Sequence, residues 1–145
     1  MAHPYHSIAD LVPDYVPEAD LVQLTNDAGG ATVDTDVYEG LRARADGEID
    51  GYLGHRYTVP LSTPPALVVD LSARLTLFKL YRRRYPTDLP DSVVADQKAV
   101  MRTLEGLAKG IPTLGAQPAP TANPERIALV TKHTKVFSRD SLKGW

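Results

Sequence analysis

The sequence predicts a mainly α protein, a small bundle of three long helices with short helices before it and an extended C-terminal tail after it. Apolar residues recur at helical spacing in three stretches between residues 36 and 110. Prolines separate these stretches, and prolines are again frequent after residue 110. A chain of 145 residues with 43% hydrophobic content is long enough for one compact domain.

Two short helices are predicted near the N-terminus, over residues 7–11 and 18–24. Pro13 and Pro17 interrupt any longer helix there. The run of Asp, Ala, Gly and Thr over residues 26–36 predicts a loop that leads into the next helix.

The first long helix is predicted from Asp36 to Tyr52 or Leu53. Asp36 and Glu39, three residues later, predict a variant of the capping box at its start. Apolar residues recur every four positions on one slowly drifting stripe, made of Val37, Leu41, Ala45, Ile49 and Leu53.

The second and third long helices follow extended, proline-containing connections. Pro65 opens the second, which is predicted to reach Tyr85 and to form the centre of the core. Its apolar face consists of Leu67, Val68, Leu71, Leu75, Phe78 and Leu80. Its last turn holds the basic cluster Arg82, Arg83 and Arg84, where cations complement the helix dipole. The third helix is predicted to begin at Pro90 or Asp91 and to end at Gly110. Its apolar residues are Val93, Val94, Val100, Met101, Leu104, Leu107 and Ala108.

Three segments result: a helical body over residues 1–110, a proline-rich linker over 111–124 and an extended tail over 125–145. The tail is basic and contains strand-like residues, so we expect it to dock on a partner, with β-strand pairing as one mode. The expected docking residues are Ile127, Leu129, Val136, Phe137, Arg139, Leu142 and Trp145. The alternative is a tail that folds back on its own bundle.

Charge is unevenly distributed along the chain. Residues 1–50 contain eleven acidic and two basic residues, a formal charge of −9, and residues 51–145 contain seven acidic and fourteen basic residues, a formal charge of +7. Solvated faces alone produce such a split, but it also suits head-to-tail association of identical subunits. The net charge of −2 argues against tight duplex-DNA binding as the primary role.

The residues do not indicate a disulfide-bonded protein, a membrane-spanning protein or an enzyme. The chain has no cysteine, which excludes disulfides and thiolate sites, and it shows no signal peptide or apolar run long enough to cross a bilayer. The four histidines are scattered, no phosphate-binding glycine loop is present, and we expect neither catalysis nor a cofactor. His3 and His6 could share a metal, but solvation of both is favoured.

The loop over residues 26–36 invites comparison with a calcium loop. With Gly30 placed as the turn glycine, only Asp27 falls where an early side-chain oxygen ligand is needed. An acidic turn that caps the next helix is the favoured interpretation. Metal binding is therefore not expected.

Several segments together resemble the Mu-like head-tail connector family of tailed phages. They are EIDGYLGHRYTVPL (48–61), LFKLYRRR (77–84), ADLVQLTND (19–27), MRTLEGLAKGIPTLG (101–115) and VFSRDSLKGW (136–145). No single segment is strongly specific, but their order spans nearly the whole chain. This sequence departs from the family pattern in the loop over residues 26–36, because the corresponding loop of relatives looks more like a true calcium loop.

The resemblance implies a non-enzymatic adaptor located in the neck of the virion and assembled in the cytoplasm of the bacterial host. It implies a ring of twelve copies beneath the portal protein, with a head-closure or tail protein attached to its other side and DNA passing through the lumen. We expect no membrane partner. The alternative is a helical DNA-binding or regulatory module that uses Arg82, Arg83 and Arg84 together with the basic tail.

Overall fold

The structure, a computed structural model, describes residues 4–111. This part of the chain contains five α-helices. They are α1 (Ile8–Leu11), α2 (Glu18–Thr25), α3 (Thr35–Leu53), α4 (Ala66–Arg84) and α5 (Asp91–Lys109). The predicted helical bundle is confirmed. The tail over residues 125–145 and almost all of the linker lie outside the described residues.

Helix α3 begins earlier than predicted, and its cap is a different aspartate. The Asp34 carboxylate accepts hydrogen bonds from the backbone N–H groups of Asp36 (3.1 Å) and Val37 (3.2 Å). The Thr25 hydroxyl in turn accepts from the Asp34 N–H at 3.1 Å, which holds the cap in place. The predicted cap at Asp36 was wrong because Asp36 is already helical, in the first turn of α3.

Helices α4 and α5 end close to the predicted positions. Pro65 is the N-cap of α4, where its missing N–H costs no hydrogen bond. Gly110 ends α5 in the left-handed region, with φ of 86°, as a C-terminal glycine commonly does. The Ile111 N–H then donates to the Gly106 carbonyl at 2.8 Å, which closes the end of the helix.

The core has two parts, and α4 runs through both. One joins the C-terminal half of α3 to α5 and the start of α4, with Ile49, Leu53, Val68, Leu71, Leu75, Leu104 and Leu107 among its members. The other joins α1 and α2 to the start of α3 and the end of α4, with Leu11, Val16, Leu21, Leu24, Tyr38 and Leu80 among its members. Helix α4 contacts each of the other four helices, so its predicted central place is confirmed.

The buried face of α4 differs in part from the predicted one. Leu67 is 36% exposed, whereas the small residues Ser72, Ala73 and Thr76 are fully buried. A helix surrounded by four others must place some small side chains against its neighbours, because they allow the backbones to approach closely. A hydrophobic stripe alone does not identify these positions.

Candidate functional site

Residues 4–17, called here the N-terminal segment, are attached to α3 and α4 by buried polar contacts. The Tyr5 N–H donates to the Asp46 carboxylate at 3.2 Å. The Tyr5 hydroxyl donates to Asp50 and accepts from the Leu61 N–H at 3.0 Å. Burial, followed by the hydrogen bond to Asp50, raises the pKa of Tyr5 above its ordinary value. The N-terminal segment is therefore part of the folded body.

His6, within this segment, is only 3% exposed, so the expectation of a solvated His6 was wrong. Its Nδ1 lies 2.7 Å from the Ser72 hydroxyl oxygen, and its ring packs edge-on against Tyr38. The Ser72 hydroxyl donates to Asp46, so its oxygen accepts from a protonated Nδ1 of a neutral His6. Burial, with a further contribution from the nearby charge of Arg42, lowers the pKa of His6 to about 4.

Serine, histidine and aspartate thus meet inside the protein, but not in the arrangement of a nucleophilic triad. Ser72 is fully buried, and its proton points to Asp46 instead of His6. A serine nucleophile needs the histidine as its proton acceptor and needs access for a substrate. Asp46 is itself half-buried, and burial raises its pKa against the opposing effect of the hydrogen bond from Ser72. The geometry fits a structural role, which is to fasten the N-terminal segment.

The basic cluster at the end of α4 is only partly free. Arg83 and Arg84 both pair with Asp27, with Arg84 Nη1 at 3.0 Å from Asp27 Oδ1. Arg83 Nη1 also donates to the Leu24 carbonyl at 3.3 Å. These cations, with the hydrogen bond from Arg83 as the largest cause, lower the pKa of Asp27. Two of the three predicted arginines therefore join α4 to the end of α2.

The side-chain amide of Asn26 organises the loop over residues 26–36. The Asn26 side-chain oxygen accepts from the N–H groups of Ala28 (3.0 Å) and Gly30 (3.2 Å). Its side-chain nitrogen donates to the Thr32 carbonyl at 3.0 Å. Asp27, the one acid in a plausible calcium-ligand position, is engaged by the two arginines. Within residues 4–111 no group of three or more histidine or acidic side chains is placed to hold a metal ion.

A basic depression, called here the α3–α4 groove, lies between these two helices. It has a volume of about 440 Å³ and is lined by Leu41, Arg44, Lys79, Arg82 and Arg83. A smaller depression of about 250 Å³ shares Leu41, Arg44 and Arg83 and extends along α3 past Gly40 to Asp36, the one acid in its lining. Across the groove Lys79 pairs with Glu48 at 2.7 Å.

Two cations of the groove remain available to a ligand. Arg44 and Arg82 are both exposed, and neither makes an ion pair with any described residue. They lie on different helices, so sequence reasoning that looked for a linear basic cluster identified Arg82 and missed Arg44. Arg44 lies three positions after Leu41 and four positions before Glu48, so the three residues share one face of the predicted helix. This spacing is the sequence signal that could have identified Arg44.

The predicted docking residues of the tail, from Ile127 to Trp145, lie outside the described part of the chain. No helix between residues 4 and 111 is both long enough and apolar enough to span a bilayer.

Comparison with known proteins identifies the family. A family model described as "Bacteriophage Mu, Gp36" matches residues 5–131, which include nearly all of the described body. The chain is also 31% identical over 98 residues to the "Mu-like prophage FluMu protein gp36" of Haemophilus influenzae, an alignment that covers 67% of each chain. The match extends over most of the chain and agrees with the resemblance carried by its segments. This protein belongs to the Bacteriophage Mu Gp36 family.

Proposed function

We propose that the chain is a structural head-tail connector subunit of a tailed bacteriophage. Copies of it assemble into a ring, with twelve as the expected number, beneath the portal protein. DNA passes through the lumen, and the next neck or tail protein attaches to the other side. Membership of the Mu Gp36 family over residues 5–131 is the observation that carries this proposal.

The body has properties that suit a ring subunit. Buried contacts from Tyr5 and His6 fix the N-terminal segment on α3 and α4, and the Asp27 pairs fix α2 on α4. A subunit that is already rigid loses little conformational entropy when it assembles. Contacts that repeat around a ring require the same surface geometry in every copy, which such a body supplies.

A DNA-binding or regulatory module is the second candidate, and the free cations Arg44 and Arg82 are the observation in its favour. Arg83 and Arg84 weaken it, since Asp27 already neutralises part of their charge. Phosphate contacts make DNA affinity fall steeply with salt. Salt-dependent binding of a duplex by the isolated subunit would favour this candidate, and its absence would favour the connector.

The connector role is tested in the phage that encodes the chain. A nonsense mutation in this gene should yield DNA-filled heads and complete tails that do not join, visible by electron microscopy of lysates. Supplying the wild-type chain from a plasmid should restore joined particles. Complete particles in the absence of the chain would contradict the proposal, and so would a block before heads are filled.

A further inference from the structure

The α3–α4 groove has the charge of a binding surface for an acidic segment. Four of the five residues that line its larger part are cations, and the fifth, Leu41, supplies an apolar floor. Glu48 and Asp27 neutralise Lys79 and Arg83 within the chain. Arg44 and Arg82 make no ion pair with any residue between positions 4 and 111. Gly40, at the edge of the groove, has open space where a side chain would stand, so another backbone can approach closely there.

The same chain has an acidic surface that could occupy this groove. Asp14, Glu18 and Asp20 are exposed at and just before the start of α2, and none of them makes an ion pair within residues 4–111. Most other acids of the N-terminal half are already engaged: Asp27, Glu39 and Glu48 with cations, Asp34 as a helix cap, and Asp46 and Asp50 with Tyr5. Asp36, in the first turn of α3, is the exception, since it is exposed and makes no ion pair within residues 4–111. The start of α2 therefore carries a large share of the uncompensated negative charge.

We propose that the α3–α4 groove of one subunit binds the acidic start of α2 of a second copy. Arg44 and Arg82 face Glu18 and Asp20 across this contact. A twofold contact of groove with groove would bring like charges together, which is costly, so the contact joins two different surfaces. Such a head-to-tail contact propagates and closes into a ring when the rotation allows it. This inference rests on the proposed ring and names the surfaces that form it.

Charge is expected to orient the subunits in this contact. Exposed ion pairs are individually weak, but reversing the sign of two facing charges turns attraction into repulsion. We therefore expect R44E/R82E to raise the concentration needed for half-maximal assembly at least about tenfold. E18R/D20R should do the same, because it alters the opposite surface of the same contact.

The decisive experiment mixes the two variants. Each full-length variant alone should remain unassembled in mass photometry or sedimentation velocity at concentrations where the wild-type chain forms rings. In an equimolar mixture every contact can pair opposite charges, so rings of alternating variants should form. This rescue also shows that both variants are folded. The matched control for R44E/R82E is K98E/R102E, which also replaces two basic residues by glutamate, at exposed positions of α5. This control should assemble like the wild type.

Two results would overturn the proposal while leaving the connector role intact. One is assembly of R44E/R82E at the wild-type concentration. The other is failure of the mixture to assemble although the wild type does and both variants give wild-type circular dichroism spectra. If the first result is accompanied by loss of binding to a DNA duplex, the occupant of the groove is nucleic acid. Failure of the connector role itself would appear separately, as joined particles in the nonsense mutant.

Discussion

Protonation of His6 should destabilise the folded protein below neutral pH. In the fold His6 is neutral and donates through Nδ1 to Ser72, while Arg42 lies near enough to oppose a positive charge on the ring and Asp10 acts in the opposite sense. Its pKa falls from an ordinary value of 6.5 to about 4. The unfolded chain therefore binds a proton at a higher pH than the folded chain does, and the free energy of unfolding decreases as the pH falls from about 6.5 towards 4.

The magnitude follows from the two pKa values. Each pKa unit corresponds to about 1.4 kcal/mol, so the full loss below pH 4 is about 3 kcal/mol. At pH 5 the unfolded state is almost fully protonated at this residue and the folded state is not, which gives a loss of about 2 kcal/mol. Asp46 acts in the opposite direction, since burial raises its pKa and its protonation on acidification favours the fold. A variant that removes only the His6 titration is therefore needed.

His6→Asn is the matched variant, because its amide can donate to Ser72 as Nδ1 does but does not titrate. Urea denaturation of both proteins at about pH 7.5 and pH 5 gives the change in the free energy of unfolding for each. We expect the wild type to lose about 2 kcal/mol more than the variant over this interval. Equal losses in the two proteins would contradict a titration of His6 that is coupled to folding, as would a His6 ring pKa near 6.5 measured by NMR.

Three further predictions concern the cap, the loop and the tail. Asp34→Ala should lower the free energy of unfolding by about 1 kcal/mol and Asp36→Ala by about 0.5 kcal/mol or less, measured by urea denaturation; the reverse order would contradict the assigned cap. Thermal melts in calcium and in chelator should coincide, because Asn26 and the arginine pairs of Asp27 already organise the loop over residues 26–36; a rise of several degrees in calcium would show that it binds the ion. Deleting residues 125–145 should leave helicity and melting temperature nearly unchanged but yield heads that cannot join tails. Unfolding of the truncated chain, or infectious particles made with it, would contradict a docking role for the tail.

The helices were predictable because local signals and long-range packing agree. Prolines precede α4 and α5, Gly110 ends α5, and a four-residue apolar repeat defines α3. The cap of α3 was not predictable to the residue, since Asp34 and Asp36 are chemically equal and the choice depends on the Thr25 hydroxyl that holds Asp34. Contacts between distant parts of the chain decide such alternatives.

The functional surfaces depend even more on these contacts. Sequence reasoning treated Arg82, Arg83 and Arg84 as one cluster, but Asp27 engages two of them. The third, Arg82 on α4, lines the same groove as Arg44 on α3. Residues brought together from two helices form no linear motif. His6 was expected to be solvated, because nothing near it in the sequence reveals that Ser72, 66 positions away, will be its partner.

A cryo-electron microscopy reconstruction of the neck of intact particles would show whether this chain forms a ring there, as we propose. We expect a ring of about twelve subunits beneath the portal, with the five-helix body over residues 4–111 fitting each subunit. The start of α2 should lie against the α3–α4 groove of the next subunit. A neck without density for this body would contradict a connector ring, and so would a chain that is found elsewhere in the particle or is absent from it.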